Sequence, residues 1–204
     1  MHRDGSSDNL RHAEKMKRRK EVQDAEVASK SIEKGLLIVN TGPGKGKSTA
    51  AFGLALRMLG HGRRVGVVQF IKGAWSTGEQ RALEAFGDLV TWRSMGEGFT
   101  WETQDRERDI AAASRAWDVA QTMMADESYA LLILDELNIA LRYDYLDVHQ
   151  VVQTLSARRR DLHVVVTGRN AKPEMIAAAD LVSEIAAVKH HFSAGVRAQQ
   201  GVEF

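Results

Sequence analysis

Four short apolar runs recur along the chain, each too short to form a buried helix. They cover residues 36–39, 65–70, 131–134 and 164–166. Apolar runs of this length are typical of strands that are buried on both faces of a parallel sheet. Residues 89–92 form a weaker candidate strand, and a loop rich in glycine and aromatic residues follows to about residue 104.

Helical patterns separate these runs. The pattern predicts helices over residues 48–59, 105–125 and 148–156, and a shorter helix opened by Lys172-Pro173-Glu174, because proline fits the first helical turn. The longest helix has apolar residues spaced three and four apart, namely Ile110, Ala113, Trp117, Ala120 and Met124. Strands that alternate with helices predict an α/β fold with a mostly parallel sheet and helices on both faces.

The first 34 residues differ from the rest in composition. They contain nine Lys or Arg and seven acidic residues, with few large apolar side chains. We therefore predict a charged, mobile N-terminal extension at 1–34 and one folded domain at 35–204. The dense basic run at 15–20 is either a solvated tail or loose helix face, or a segment that meets an anionic ligand.

Composition narrows the class of protein. The body after residue 34 holds 19 basic and 20 acidic residues. It therefore lacks the excess positive charge that is typical of nucleic-acid-binding domains. The chain has no cysteine, which excludes disulfides and thiolate metal sites. No apolar run reaches the roughly 18 residues that span a bilayer, and no signal-peptide core is present. We expect a soluble cytoplasmic protein without a membrane partner.

A glycine-rich turn joins the first predicted strand to the first helix. Its residues are Gly42, Pro43, Gly44, Lys45, Gly46, Lys47, Ser48 and Thr49. The pattern GxxxxGK[ST] is met at its last three positions, but Thr41 stands where the first glycine is usual. In such turns the backbone N–H groups and the helix N-terminus bind phosphates. We predict that Lys47, in a solvated loop, neutralises the phosphates and that Ser48 joins a Mg²⁺ shell.

Asp135 and Glu136 directly follow the strand at 131–134. A carboxylate in this position can bind Mg²⁺ directly or through water, and in a hydrolase the second would activate water for attack on the γ-phosphate. The alternative is that the two acidic residues cap a helix or form salt bridges. The residues by themselves predict triphosphate binding and do not distinguish a hydrolase from a transferase.

The loop at 96–103 carries two large aromatic residues, Phe99 and Trp101, between glycines and polar residues. Pattern alone leaves open whether they anchor the loop in the core or line a site. With the motifs already described, and with the stretches 65–73, 134–137, 167–169, 188–190 and 194–196, the chain closely resembles the P-loop corrinoid adenosyltransferases of cobalamin biosynthesis and salvage. The phosphate loop without the usual first glycine is this family's form.

The resemblance implies a RecA-like three-layer P-loop fold and a defined reaction. Co(I) of a corrinoid attacks the ribose C5′ of ATP and expels intact triphosphate. The phosphate loop would hold ATP, and Ser48, Glu136 and Asp135 would bind Mg²⁺ (or Mn²⁺). Phe99 and Trp101 would keep Co(II) four-coordinate and so easier to reduce, with a reduced flavoprotein as donor. The corrinoid is cobalamin, cobinamide or cobyrinic acid a,c-diamide, and a homodimer is expected.

Two other functions fit part of the pattern. A RecA-like ATPase would use Glu136 to activate water, but it leaves the Phe99 and Trp101 loop unexplained. A nucleotide-binding regulator without catalysis would have little need of a complete Mg²⁺ site. His190 and His191 are expected at the surface or against phosphate rather than on cobalt.

Overall fold

We describe the fold from a computed structural model, in which residues 5–71, 77–96 and 105–203 are described. The chain forms two compact units, residues 1–33 and residues 34–204. The first unit contains helix α1, Gly5–Ala28, and every described side chain from residue 8 to residue 34 is exposed to solvent. An exposed helix in this unit agrees with its charged composition, which supplies no apolar face to bury.

The second unit is built on a parallel sheet. In the described residues its strands are β1 Leu37–Thr41, β2 Arg64–Gln69, β3 Val90–Ser94, β4 Tyr129–Asp135, β5 His163–Thr167 and β6 Leu181–Glu184. Their order across the sheet is β3-β2-β4-β5-β1-β6, and each pair of neighbours is parallel. Strands β1, β2, β4 and β5 lie inside the sheet, which explains their continuous apolar sequences.

Helices cover both faces of this sheet. They are α2 Lys47–Gly60, α3 Gly78–Glu84, α4 Arg106–Ala125, α5 Leu137–Arg142, α6 Val148–Ser156 and α7 Pro173–Ala178. Helices α2 and α3 pack on the face formed by alternate strand residues such as Ile133 and Val165. Helices α4, α5 and α6 pack on the opposite face, with Leu132 and Val164. The predicted α/β fold with helices on both faces is confirmed.

Among the described helices and strands of the second unit, α3, α5 and β6 were not predicted from the pattern. Helices α3 and α5 have seven and six residues, too few to show a helical period clearly. Strand β6 pairs only with β1, at the edge of the sheet, and all four of its residues are exposed. An exposed edge strand has no apolar run by which sequence could identify it. Among the described residues, no helix is both long and apolar enough to cross a membrane.

Candidate active site

The glycine-rich turn lies between β1 and α2, as predicted. Gly42 has φ 95° and Gly46 has φ 109°, in the left-handed region that favours glycine. A Cβ on Gly42 would also lie 2.6 Å from the carbonyl oxygen of Ile185, after β6. Gly44 N–H donates to that same oxygen at 2.7 Å. The turn is therefore held against the backbone that leaves the edge strand.

The other residues of the turn differ in exposure. Pro43 and Lys45 are exposed, as is Thr49 in the first turn of α2. Lys47 is buried, so the prediction that it lies in a solvated loop is wrong. Its Nζ donates to the carbonyl oxygens of Gly42 at 3.0 Å and Gly44 at 2.5 Å. The ammonium group therefore lies inside the curve of the turn.

The charges around Lys47 favour an anion. Burial lowers the pKa of Lys47, and the positive charge of Arg169 lowers it further. Glu136 acts in the opposite direction, and Lys45 adds a smaller lowering effect. Three cationic side chains thus lie near one another beside the N-terminus of α2. A polyanion such as triphosphate would relieve their mutual repulsion.

Asp135 joins several elements of the site. It is fully buried at the end of β4. Its Oδ1 accepts from Ser48 Oγ at 2.7 Å and from Thr167 Oγ1 at 2.7 Å, and its Oδ2 accepts from Gln69 Nε2 at 3.0 Å. The ends of β2, β4 and β5 and the start of α2 therefore meet at one carboxylate. Two of the residues predicted to bind metal, Ser48 and Asp135, are in direct contact.

Glu136, the third predicted metal ligand, begins the turn into α5. Its φ is 64°, a left-handed conformation that is uncommon and costly for a residue with a side chain. Its backbone N–H donates to Thr167 Oγ1 at 2.9 Å. A Cβ on Gly168 would lie 3.3 Å from Glu136 Oε2, so the carboxylate lies over the turn that follows β5. This strained turn directs Glu136 toward the same edge of the sheet as Lys47.

Residues of the β5 turn were missed as site residues. Thr167 and Arg169 belong to a stretch that carried the family resemblance, but no role was assigned to them. Thr167 is buried and contacts Asp135, while Arg169 influences Lys47. Their position in the sequence could have identified them, because polar residues that directly follow a buried parallel strand lie at the edge of the sheet where ligands bind.

The C-terminal segment reaches the glycine-rich turn. Lys45 Nζ contacts a Glu203 carboxylate oxygen, and His191 Nε2 lies 2.9 Å from the other oxygen. The hydrogen bond from Lys45 holds the pKa of Glu203 below its ordinary value. The His190 and His191 rings stack with centroids 4.9 Å apart. The histidine pair thus lies beside an exposed lysine of the turn, where it contacts a carboxylate of the chain itself.

Phe99 and Trp101 lie outside the described residues, so their roles stay predictions. In the described ranges, no group of three or more His, Asp or Glu side chains is arranged to hold a metal ion. The site described above consists of oxygen atoms that can bind a cation, cationic side chains and backbone N–H groups, all at one edge of the sheet.

Comparison with known proteins covers both units. The family model for the ATP:corrinoid adenosyltransferases BtuR/CobO/CobP matches residues 33–204, and a model for the cob(I)alamin adenosyltransferase N-terminal segment matches residues 2–27. A corrinoid adenosyltransferase of Pseudomonas aeruginosa is 56% identical over 194 residues, 95% of this chain and 96% of that protein.

Two further relatives are also corrinoid adenosyltransferases. A corrinoid adenosyltransferase of Sinorhizobium sp is 54% identical over 97% of this chain and 93% of that protein. The Escherichia coli K12 protein is 48% identical over 95% of this chain and 98% of that protein. The resemblance stated from the motifs is confirmed by these matches.

Proposed function

The chain belongs to the ATP:corrinoid adenosyltransferase family, and from this membership we propose how its residues carry out the reaction. It is a transferase that moves the 5′-deoxyadenosyl group of ATP to the cobalt of a corrinoid. The observation that carries the assignment of residues is the meeting of the phosphate turn, Asp135 and the β5 turn at one edge of the sheet. In open α/β sheets, this edge is where ligands bind.

Triphosphate is the leaving group, and most of the described site serves it. Co(I) forms a bond to C5′ while the bond between C5′ and the triphosphate oxygen breaks, and that oxygen keeps the electron pair. Lys47, Arg169 and the backbone N–H groups of residues 45–48 bind the negative charge of the departing triphosphate. Fixed donors of this kind stabilise a leaving group without having to reorganise during the reaction.

Mg²⁺ (or Mn²⁺) fits the donor set, because Ser48, Asp135 and Glu136 offer only oxygen ligands, which these ions prefer. Mg²⁺ commonly binds through one or two carboxylates together with substrate phosphates, so an all-protein cage is not required. Ser48 Oγ, 2.7 Å from Asp135, is oriented by that carboxylate. When bound, the ion would offset part of the triphosphate charge.

The corrinoid side of the reaction rests on family membership. We assign Phe99 and Trp101 to the face of the corrin where the axial ligand of Co(II) would otherwise bind, with a reduced flavoprotein as electron donor. Apolar rings suit this position because they exclude water and offer no ligand atom. A homodimer is also proposed on this basis alone.

The identity of the leaving group tests the proposed reaction. Incubation with ATP, Mg²⁺ and chemically reduced cob(I)alamin should produce one triphosphate for each adenosylated corrinoid, because attack on carbon breaks no phosphoanhydride bond. Ion chromatography of the spent nucleotide, beside the corrinoid absorbance spectrum, measures both products. ADP and phosphate released at the same rate without corrinoid would instead identify a RecA-like ATPase.

Deletion of residues 1–30 should weaken corrinoid turnover and leave ATP binding intact. The deleted residues lie in the first unit, so the core of the second unit remains. A segment that closes over the corrin would exclude water from Co(I), and its loss should raise KM for the corrinoid more than KM for ATP. Unchanged KM and kcat for the corrinoid in the truncated chain would reduce this unit to a tail without a role in turnover.

A further inference from the structure

Gln69 is a buried polar side chain to which the mechanism above gives no role. It lies at the end of β2 and is 1% exposed. Its Nε2 donates to Asp135 Oδ2 at 3.0 Å. Its Oε1 accepts from Trp92 Nε1 at 3.2 Å and from Ser94 Oγ at 3.1 Å. Both ends of the amide are thus bonded, one to the site and one to strand β3.

Chemistry determines which end of this amide faces Asp135. An indole N–H can only donate a hydrogen bond, and Trp92 Nε1 is shared between Gln69 Oε1 at 3.2 Å and Ser94 Oγ at 3.1 Å, so the amide oxygen of Gln69 fits the Trp92 side and the amide nitrogen does not. The amide nitrogen must then face Asp135, whose ionised carboxylate can only accept. The reversed amide would place two donors together on one side and two acceptors on the other. Trp92 therefore sets the orientation in which Gln69 can donate to Asp135.

The amide differs from the hydroxyl groups that also contact Asp135. Ser48 and Thr167 each donate through a hydroxyl that can rotate toward another acceptor. The Gln69 amide cannot turn over without losing both the hydrogen bond from Trp92 and its own donation to Asp135. It thus supplies a directed contact to one oxygen of Asp135 while the other oxygen faces Ser48.

We propose that Gln69 is a positioning residue for adenosyl transfer, which holds Asp135 so that Oδ1 orients Ser48 at the cation of the nucleotide complex. The inference rests on the proposed function, because it assumes a cation bound with ATP near Ser48 and Asp135. The contacts of Gln69 with Trp92 and Ser94 also join Asp135 to β3, the strand that precedes the Phe99 and Trp101 loop in sequence. Gln69 thereby connects the nucleotide site to the end of β3.

Binding of the cation–nucleotide complex tests the proposal without using turnover. Gln69→Met has similar length and no donor, and we expect it to weaken Mn²⁺ binding in the presence of ATP about 10- to 100-fold, the usual cost of losing an outer-shell partner. Mn²⁺ electron paramagnetic resonance measures free ion directly. ATP binding in EDTA should change less than threefold, since Asp135 acts through the cation. Gln150→Met, an exposed position on α6, is the matched control.

Two further variants make the test decisive. Trp92→Phe keeps a ring but removes the donor that orients the amide, so Mn²⁺ binding should weaken in the same direction by a smaller factor. In an Asp135→Asn background, Gln69→Met should have almost no further effect on Mn²⁺ binding, because coupled residues are not additive. Circular dichroism establishes that each variant is folded, and Trp92→Phe carries the test if Gln69→Met is not.

Other results would overturn the inference. Equal losses of ATP binding with and without the cation, or additive effects of the two substitutions, would leave Gln69 as support for the fold only. If the wild-type protein bound no Mn²⁺ with ATP, the proposed cation site would fail instead. If Gln69→Met and Trp92→Phe both bound Mn²⁺ as tightly as the wild type, the positioning role of Gln69 would be rejected. The proposed cation site would still stand.

Discussion

Replacement of Phe99 and Trp101 together by alanine should abolish most turnover with a flavoprotein reductant and spare turnover with corrinoid that has already been reduced. Under the assignment proposed above, the two rings exclude an axial ligand, so their loss lets water or the corrinoid's own base return to the axial position and stabilise Co(II). A fall of about 120 mV in the Co(II)/Co(I) potential lowers the equilibrium fraction of Co(I) about 100-fold. Co(I) has no such axial ligand, so alkyl transfer itself should slow only a few-fold from lost packing.

Two assays and one spectrum separate reduction from transfer. Turnover is measured with a reduced flavoprotein and with chemically made cob(I)alamin, and electron paramagnetic resonance follows the four-coordinate Co(II) signal, which should disappear in the variant. Phe86→Ala, at a partly exposed ring near the end of α3, controls for removal of an aromatic side chain elsewhere. An equal fall in both assays would mean that the rings only shape the pocket. No fall in either would place the corrinoid away from this loop.

Replacement of Lys47 should reduce kcat/KM for ATP about 10- to 150-fold, which corresponds to loss of a charge-assisted contact of about 1.5–3 kcal/mol. The structure adds a second effect. Because Lys47 Nζ bonds the Gly42 and Gly44 carbonyl oxygens, its loss also releases the phosphate turn from the shape that it has before ATP binds.

A pair of substitutions distinguishes these effects. Lys47→Met retains the buried methylene groups and removes the charge, whereas Lys47→Ala also empties the space inside the turn. Both should lose ATP affinity, and the alanine variant should in addition unfold at lower temperature. Arg57→Met, an exposed cation on the same helix, should match the wild type in both measurements. Normal kcat/KM at low ATP concentration in folded Lys47→Met would refute the phosphate-binding assignment.

The sequence predicted the interior strands and the longer helices because their signals are local. The stripe on α4 is an example, since Ala113, Trp117, Ala120 and Met124 are buried as its spacing required. The glycine-rich turn was also predicted from a local signal, because the glycines at positions that need positive φ and the GKS residues lie within a few positions of one another. Family membership followed from several such stretches together.

Strand β6 shows where local signals fail. Its four residues are exposed, and it is a strand only because β1 offers a free edge for pairing. The burial of Lys47 was likewise invisible, since it depends on how the turn curves back over its own side chain. Neither feature changes the apolar pattern on which the prediction rested.

The sequence by itself determined the fold class, the place of the glycine-rich turn between β1 and α2, and the family. Only the tertiary structure decided which side chains meet at Asp135. Its partners Thr167, Gln69 and Ser48 are 32, 66 and 87 positions away along the chain. Their meeting depends on the order β2-β4-β5-β1 across the sheet, and local patterns of burial and turn residues carry no information about that order.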